Sequence, residues 1–104
     1  MSSQNVVVKH ILVEGLVQGV SFRYFITENA NRLGMTGWVR NLSDGRVEIV
    51  AMASDNSTMG EFLKSVKTGP PHSDVRKVDV QVVSSQSLNF EEFVIRRDGG
   101  PTWP

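Results

Sequence analysis

The chain has no cysteine, which excludes disulfides, thiolate nucleophiles and cysteine-held metals. It has no excess charge: 11 Lys and Arg balance 11 Asp and Glu, for a formal net charge of zero. The broad basic balance that accompanies nucleic-acid binding is therefore missing, and any anion site has to be local. No apolar run approaches the roughly 20 residues that cross a membrane. The opening MSSQNVVVKH lacks a basic region followed by a long apolar run, so no secretory signal and a cytoplasmic location are expected. Aromatic residues are absent from VVVKHILV and RVEIVAM, the segments most strand-like in composition. A domain that stacks bases on its central strands would need them there. Histidine is nearly absent too. His10 and His72 stand far apart, so each is given a structural or exposed role, and no metal site is expected.

What remains is a chain of 104 residues, 39% hydrophobic, suited to one core and one domain. Val6 to Glu14 is rich in branched residues and apolar on both alternating faces, the pattern of a central strand. Phe22, Phe25, Ile26, Asn29, Ala30 and Leu33 then follow helical spacing, with Gly34 placed to end the helix in a left-handed turn. MTGWVRN and RVEIVAM read as strands joined by an SDG hairpin turn. Thr58 followed by Glu61 has the form of a capping box. It predicts a second helix with Met59, Phe62, Leu63 and Val66 buried and Gly69 at its end. VRKVDVQVV alternates, and FEEFVIRR supplies a last strand. The order predicts an α+β, ferredoxin-like sandwich: β-α-β-β-α-β, a mixed or antiparallel sheet, two helices on one face and a possible short fifth strand. Residues 1–97 form the expected domain. Residues 98–104 read as a mobile tail, with docking of Trp103 as the alternative.

Gly15 and Gly19 bracket the segment between the first strand and the first helix. Glycines there let backbone N–H groups converge, and the first helical turn adds N–H groups with no intrahelical partner. Such a concavity favours phosphate. Arg23 stands at the positive end of the helix dipole, where a cation is unfavourable unless an anion lies between them. The plainer alternatives are turn geometry for the glycines, a solvated arginine, and a helix cap for Ser21. This is not a GxxxxGK[ST] loop, so nucleotide hydrolysis by that route is not expected. A right-handed first crossover makes strands one and two parallel with strand three between them, so their carboxyl ends share one edge of the sheet. Two strand spacings are about 10 Å, within reach of an arginine arm toward Asn41, which otherwise simply starts the NLSDG turn.

GLVQGVSFRYF resembles the acylphosphatase signature G-x-V-Q-G-V-x-F-R at Gly15, Val17, Gln18, Gly19, Val20, Phe22 and Arg23. The family's second segment, G-W-V-x-N before a D-G turn, is matched by Gly37, Trp38, Val39, Asn41, Asp44 and Gly45. The resemblance implies a metal-independent, cofactor-free hydrolase that cleaves small acyl phosphates to a carboxylate and inorganic phosphate. It implies that Arg23 and the loop of Gly15, Gln18, Gly19, Val20, Ser21 and Phe22 hold the phosphoryl group, while Asn41 positions the attacking water. A monomer acting on neither nucleic acid nor membrane is expected. Leu42 departs from the family, where a hydroxyl residue often follows the asparagine, and this puts the rate in question. The alternatives are a non-catalytic domain that binds phosphate or carbamoyl phosphate, and a nucleic-acid-binding module.

Overall fold

Successive side chains leave a strand on opposite faces, so the alternation of each strand decides what covers it. In β1 (Val7–Leu16), Ile11 and Val13 are buried on one face and Val8 and His10 on the other. β3 (Val47–Ala53) repeats this, with Val47, Ile49 and Ala51 on one side and Glu48 and Val50 on the other, all fully buried. Strands covered on both faces belong in the interior of a sheet. The computed structural model, which describes residues 6–84 and 88–102, places them side by side there. Trp103 lies outside the described residues.

The remaining strands are β2 (Thr36–Asn41), β4 (Asp74–Val83) and β5 (Phe93–Ile95), giving a 5-stranded sheet in the order β4-β1-β3-β2-β5. β3 pairs antiparallel with β1 and with β2, so β1 and β2 run parallel, with β3 between them. β4 pairs antiparallel with β1 and forms one edge over its 10 residues; the three-residue β5 pairs parallel with β2 at the other edge.

Helices α1 (Phe22–Arg32) and α2 (Asn56–Thr68) cover one face. α1 buries Phe22, Ile26 and Ala30, and α2 buries Met59, Phe62 and Val66, single stripes at helical spacing. Both stripes pack on Ile11, Val13, Val39, Ile49 and Ala51, and Phe62 meets Phe93 edge-on at 6.2 Å between ring centroids. This is the ferredoxin-like sandwich expected from the order of elements. Gly34 follows α1 with φ 70°, and its N–H bonds the Asn31 carbonyl. Gly69 ends α2 with φ 67° and bonds the Ser65 carbonyl.

The start of α2 corrects the capping-box expectation. Asp55, in extended conformation, is the cap, and its carboxylate accepts the Thr58 N–H at 2.7 Å. Thr58 therefore lies within the first turn: of the polar residues able to cap, Asp55, a turn earlier, already satisfies that N–H.

The other sheet face carries a smaller core of Val8, Trp38 and Val50, packed by Met52, Val83, Leu88 and Phe90. Beside it, fully buried Glu48 bonds His10 Nε2 and Arg40 Nε, each at 2.7 Å. Taking a carboxylate out of water is tolerable only with partners of this kind. His10 thus has the structural role expected for it. Arg40 and Arg96 stand over the Trp38 ring at 5.3 and 4.9 Å from its centroid.

Candidate active site

Because β1 and β2 run parallel, their carboxyl ends reach the same edge of the sheet, where ligand sites of open α/β sheets form. The chain leaves β1 at Leu16 and turns through residues 17–21 into α1. Gly19 (φ 74°) and Ser21 (φ 63°) both take left-handed conformations, which turn neighbouring N–H groups toward a common point. For a serine that conformation costs of order 1–3 kcal/mol, the kind of strain that collects at binding sites. Ser21 occupies the N-cap position, yet its side chain makes no cap bond, so the helix-cap expectation for it is corrected. With φ in the left-handed region it lacks the extended backbone that cap geometry requires.

The first turn of α1 holds no acidic residue, and its first ladder bond runs from the Phe25 N–H to the Ser21 carbonyl at 3.0 Å. The N–H groups of Ser21, Phe22, Arg23 and Tyr24 precede that ladder and remain as donors. α1 therefore presents an uncapped positive end, a standing preference for an anion.

That end opens on a hollow of about 260 Å³ lined by Val17, Gly19, Ser21, Phe22, Arg23, Tyr24 and Asn41. Asn41 reaches it by register. In β2, Trp38 belongs to the small core on one face and Val39 to the helix-side core on the other, so Asn41, two residues past Val39, falls on the helix side. Its side-chain oxygen Oδ1 is buried with no hydrogen-bond partner among the described residues. An acceptor left so costs about 1–3 kcal/mol, which a donor entering the hollow would recover.

Arg23 is held from outside the hollow. Its Nη1 donates to Asp98 Oδ1 at 2.9 Å, leaving the Nε–Nη2 edge of the guanidinium with no protein partner among the described residues. Asp98 is itself positioned by its neighbours along β2. The Gly99 N–H donates to the Asn41 carbonyl at 2.9 Å, and Arg40 Nη2 donates to the Pro101 carbonyl at 2.6 Å.

Of the residues expected at the site, Gly19, Ser21, Phe22, Arg23 and Asn41 come together in the hollow. Gly15 belongs to β1 rather than to the loop: it pairs with Val75 at a bulge, and with φ 131° a Cβ there would lie 2.0 Å from the Asp74 carbonyl oxygen. Gln18 turns its amide away from the hollow. Its Nε2 donates to the carbonyls of Leu42 and Arg46 at 2.8 and 2.9 Å, tying the loop to the hairpin that follows Asn41. The Val20 side chain packs on the core, and Leu42 is buried, its N–H closing the hairpin on Arg46 at 2.8 Å. Tyr24 and Asp98 are the site residues that the sequence did not announce. The only signal for Tyr24 is its place one residue after Arg23, off the apolar stripe of α1; Asp98 had no local signal.

A larger hollow of about 490 Å³ lies over His10, Leu12, Asp79 and Gln81 on the other face, but no Lys, Arg or helix N-terminus lines it to receive an anion. Among the described residues no group of three or more His, Asp or Glu is placed to hold a metal ion, and no helix is long and apolar enough to cross a membrane. Asp44, on the hairpin turn, has its carboxyl held below its ordinary range by hydrogen bonds from the Arg46 guanidinium and N–H.

The family profile for Acylphosphatase matches residues 9–95. An acylphosphatase of Bifidobacterium longum is 49% identical over 95 residues, covering 91% of this chain and 97% of that protein. The crystal structure of the Bacillus subtilis acylphosphatase superposes with a TM-score of 0.80 at 38% identity, covering 86% of this chain and 98% of that one. The acylphosphatase structure from Coxiella burnetii gives 0.84 at 33% identity, covering 92% and 100%. With both halves of the site on the sheet edge that the fold provides, and a match across most of its length, the chain belongs to the acylphosphatase family.

Proposed function

We propose that this protein is an acylphosphatase that hydrolyses the carboxyl-phosphate bond of small acyl phosphates, with Arg23 and Asn41 as its catalytic residues. What carries the reading is the meeting, in one hollow, of an uncapped helix N-terminus, an arginine and a buried amide oxygen without a partner. The N–H groups around Gly19 to Tyr24 and the open edge of Arg23 receive the phosphoryl oxygens. Asn41 Oδ1 accepts a hydrogen from water and holds it in line with the bond to be broken.

Water oxygen then bonds to phosphorus as the bond between phosphorus and the acyl oxygen breaks, and the electron pair leaves with the carboxylate. A carboxylate is a stable anion near neutral pH, its conjugate acid having a pKa of about 4, so no general acid is required. The proton of the attacking water passes to a phosphoryl oxygen, giving inorganic phosphate. In a loose transition state the charge sits on the phosphoryl oxygens, where one fixed cation and converging N–H groups are most effective. The scheme uses no metal ion.

The test is release of phosphate from benzoyl phosphate by purified protein in the presence of a chelator. Arg23→Ala should lower kcat/KM by roughly a thousandfold. Asn41→Ala should lower kcat more than it weakens inhibition by inorganic phosphate. Wild-type protein that binds phosphate without hydrolysing benzoyl phosphate above the buffer rate would refute the enzyme and leave a phosphate-binding domain.

A further inference from the structure

We infer that Tyr24 selects the acyl half of the substrate, favouring acyl phosphates whose acyl group is flat and apolar; this rests on the hydrolase reading above. In an in-line displacement the leaving oxygen lies opposite the attacking water. With the water at Asn41 on the floor side of the hollow, the acyl group projects away from Asn41 toward the mouth. Of the residues lining the hollow, Val17 and Phe22 are buried, whereas Gly19, Ser21 and Tyr24 are exposed. Among those three only Tyr24 brings apolar area, and its side chain stands 68% exposed. It is the chain's single tyrosine. Among the described residues its hydroxyl makes no hydrogen bond and its ring has no aromatic partner, although the neighbouring Phe22 and Phe25 rings pair with each other at 6.4 Å.

An aromatic face left in water beside an anion cradle is suited to a ligand that is charged at one end and apolar at the other. Tyr24 holds such a ring at low entropic cost, because its position on the first turn of α1 fixes the backbone and only two side-chain torsions remain. An aryl acyl group can stack on that face or meet it edge-on, whereas a methyl cannot cover it. The extra contact corresponds to a roughly three- to tenfold preference for an aryl over a methyl acyl group.

Acylphosphonates, which lack the bridging oxygen so that the carbonyl carbon bonds directly to phosphorus, have no anhydride bond to hydrolyse and so separate selection from turnover. Calorimetric affinities of benzoylphosphonate and acetylphosphonate would be measured on the full chain for wild type, Tyr24→Phe and Tyr24→Ala. The expected result is a three- to tenfold benzoyl preference in wild type, retained in Tyr24→Phe and reduced to near parity in Tyr24→Ala. An unchanged ratio in Tyr24→Ala overturns the proposal, including the case where both ligands weaken together. Loss of the ratio in both variants overturns the ring as its cause. If wild type binds both phosphonates with the expected ratio but hydrolyses neither corresponding phosphate, the hydrolase reading fails while Tyr24 remains the selecting residue. Failure of wild type to bind either phosphonate overturns both.

Discussion

Asp98 and a phosphoryl group would claim the same cation, and replacing Asp98 by Asn tests whether they compete. The substitution keeps the size of the side chain and removes its charge. The bridge to Arg23 spans 2.9 Å, but the side chains are 32% and 55% exposed, so water screens it heavily. Ion pairs of that exposure contribute about 0–1 kcal/mol. Two bounds follow. Asp98→Asn should cost the fold less than about 1 kcal/mol, a fall in melting temperature of no more than several degrees for a domain of this size. If bound phosphate must take Arg23 from Asp98, its affinity should rise by up to about fivefold, since 1.4 kcal/mol is tenfold. The gain should shrink at high salt, because a screening length of about 10 Å at 0.1 M weakens the competing bridge in wild type first. Competitive inhibition of benzoyl phosphate hydrolysis by inorganic phosphate, at low and at high salt, reads the effect directly. Weaker phosphate binding in Asp98→Asn would refute the competition and make the carboxylate a support that holds Arg23 in place.

Other perturbations separate the site from its scaffold. Gln18→Ala removes two hydrogen bonds between the loop and the hairpin, and should cost about 1–3 kcal/mol in urea denaturation while lowering kcat more than phosphate affinity. Equal losses in both would show that the brace does not act through Asn41. Glu48→Gln leaves Arg40 and His10 facing a neutral group in a buried setting, and should destabilise by about 3 kcal/mol or more; a loss under 1 kcal/mol would contradict the role given to the network. The Thr58 N–H holds the Asp55 carboxyl below its ordinary value of 3.8, so folding lowers this pKa. The stability it adds is present above 3.8 and is lost as pH falls through the lowered folded value. The melting-temperature difference between wild type and Asp55→Ala should therefore be constant near neutrality and shrink in acid below that value. A difference that persists into strong acid would refute it.

The elements were legible because their periodicities are strong: the stripe Phe22, Ile26, Ala30 and the alternation of VRKVDVQVV each admit one reading. The strand order followed from handedness, and it put Arg23 and Asn41 on one edge before any side chain was placed. Three features were hidden for different reasons. The cap of α2 lay among Asp55, Asn56, Ser57 and Thr58, all competent to cap, and only the position of the first turn distinguishes them. Glu48 looks like the wet member of an alternating strand, and its burial depends on cover for the second sheet face, contributed in part by Leu88 and Phe90. The Arg23 and Asp98 bridge joins positions 75 residues apart, and nothing local to either marks the other. Gly15 was read as loop because a glycine ends many strands; the bulge against Asp74 that requires it is a property of β4.

Among the described residues, the 10 residues of β4 leave one row of backbone N–H and C=O groups unpaired along an edge, where a strand from another molecule could join. Asp74, Arg76, Lys77 and Asp79 place charges on its first six residues. The last four, Val80 to Val83, have none, and Val82 is 80% exposed. A molecule of zero formal charge has no long-range repulsion to keep its copies apart. Resistance to edge-to-edge self-association therefore rests on a few charged side chains at one end of β4, and at high concentration the valine end is where association would begin.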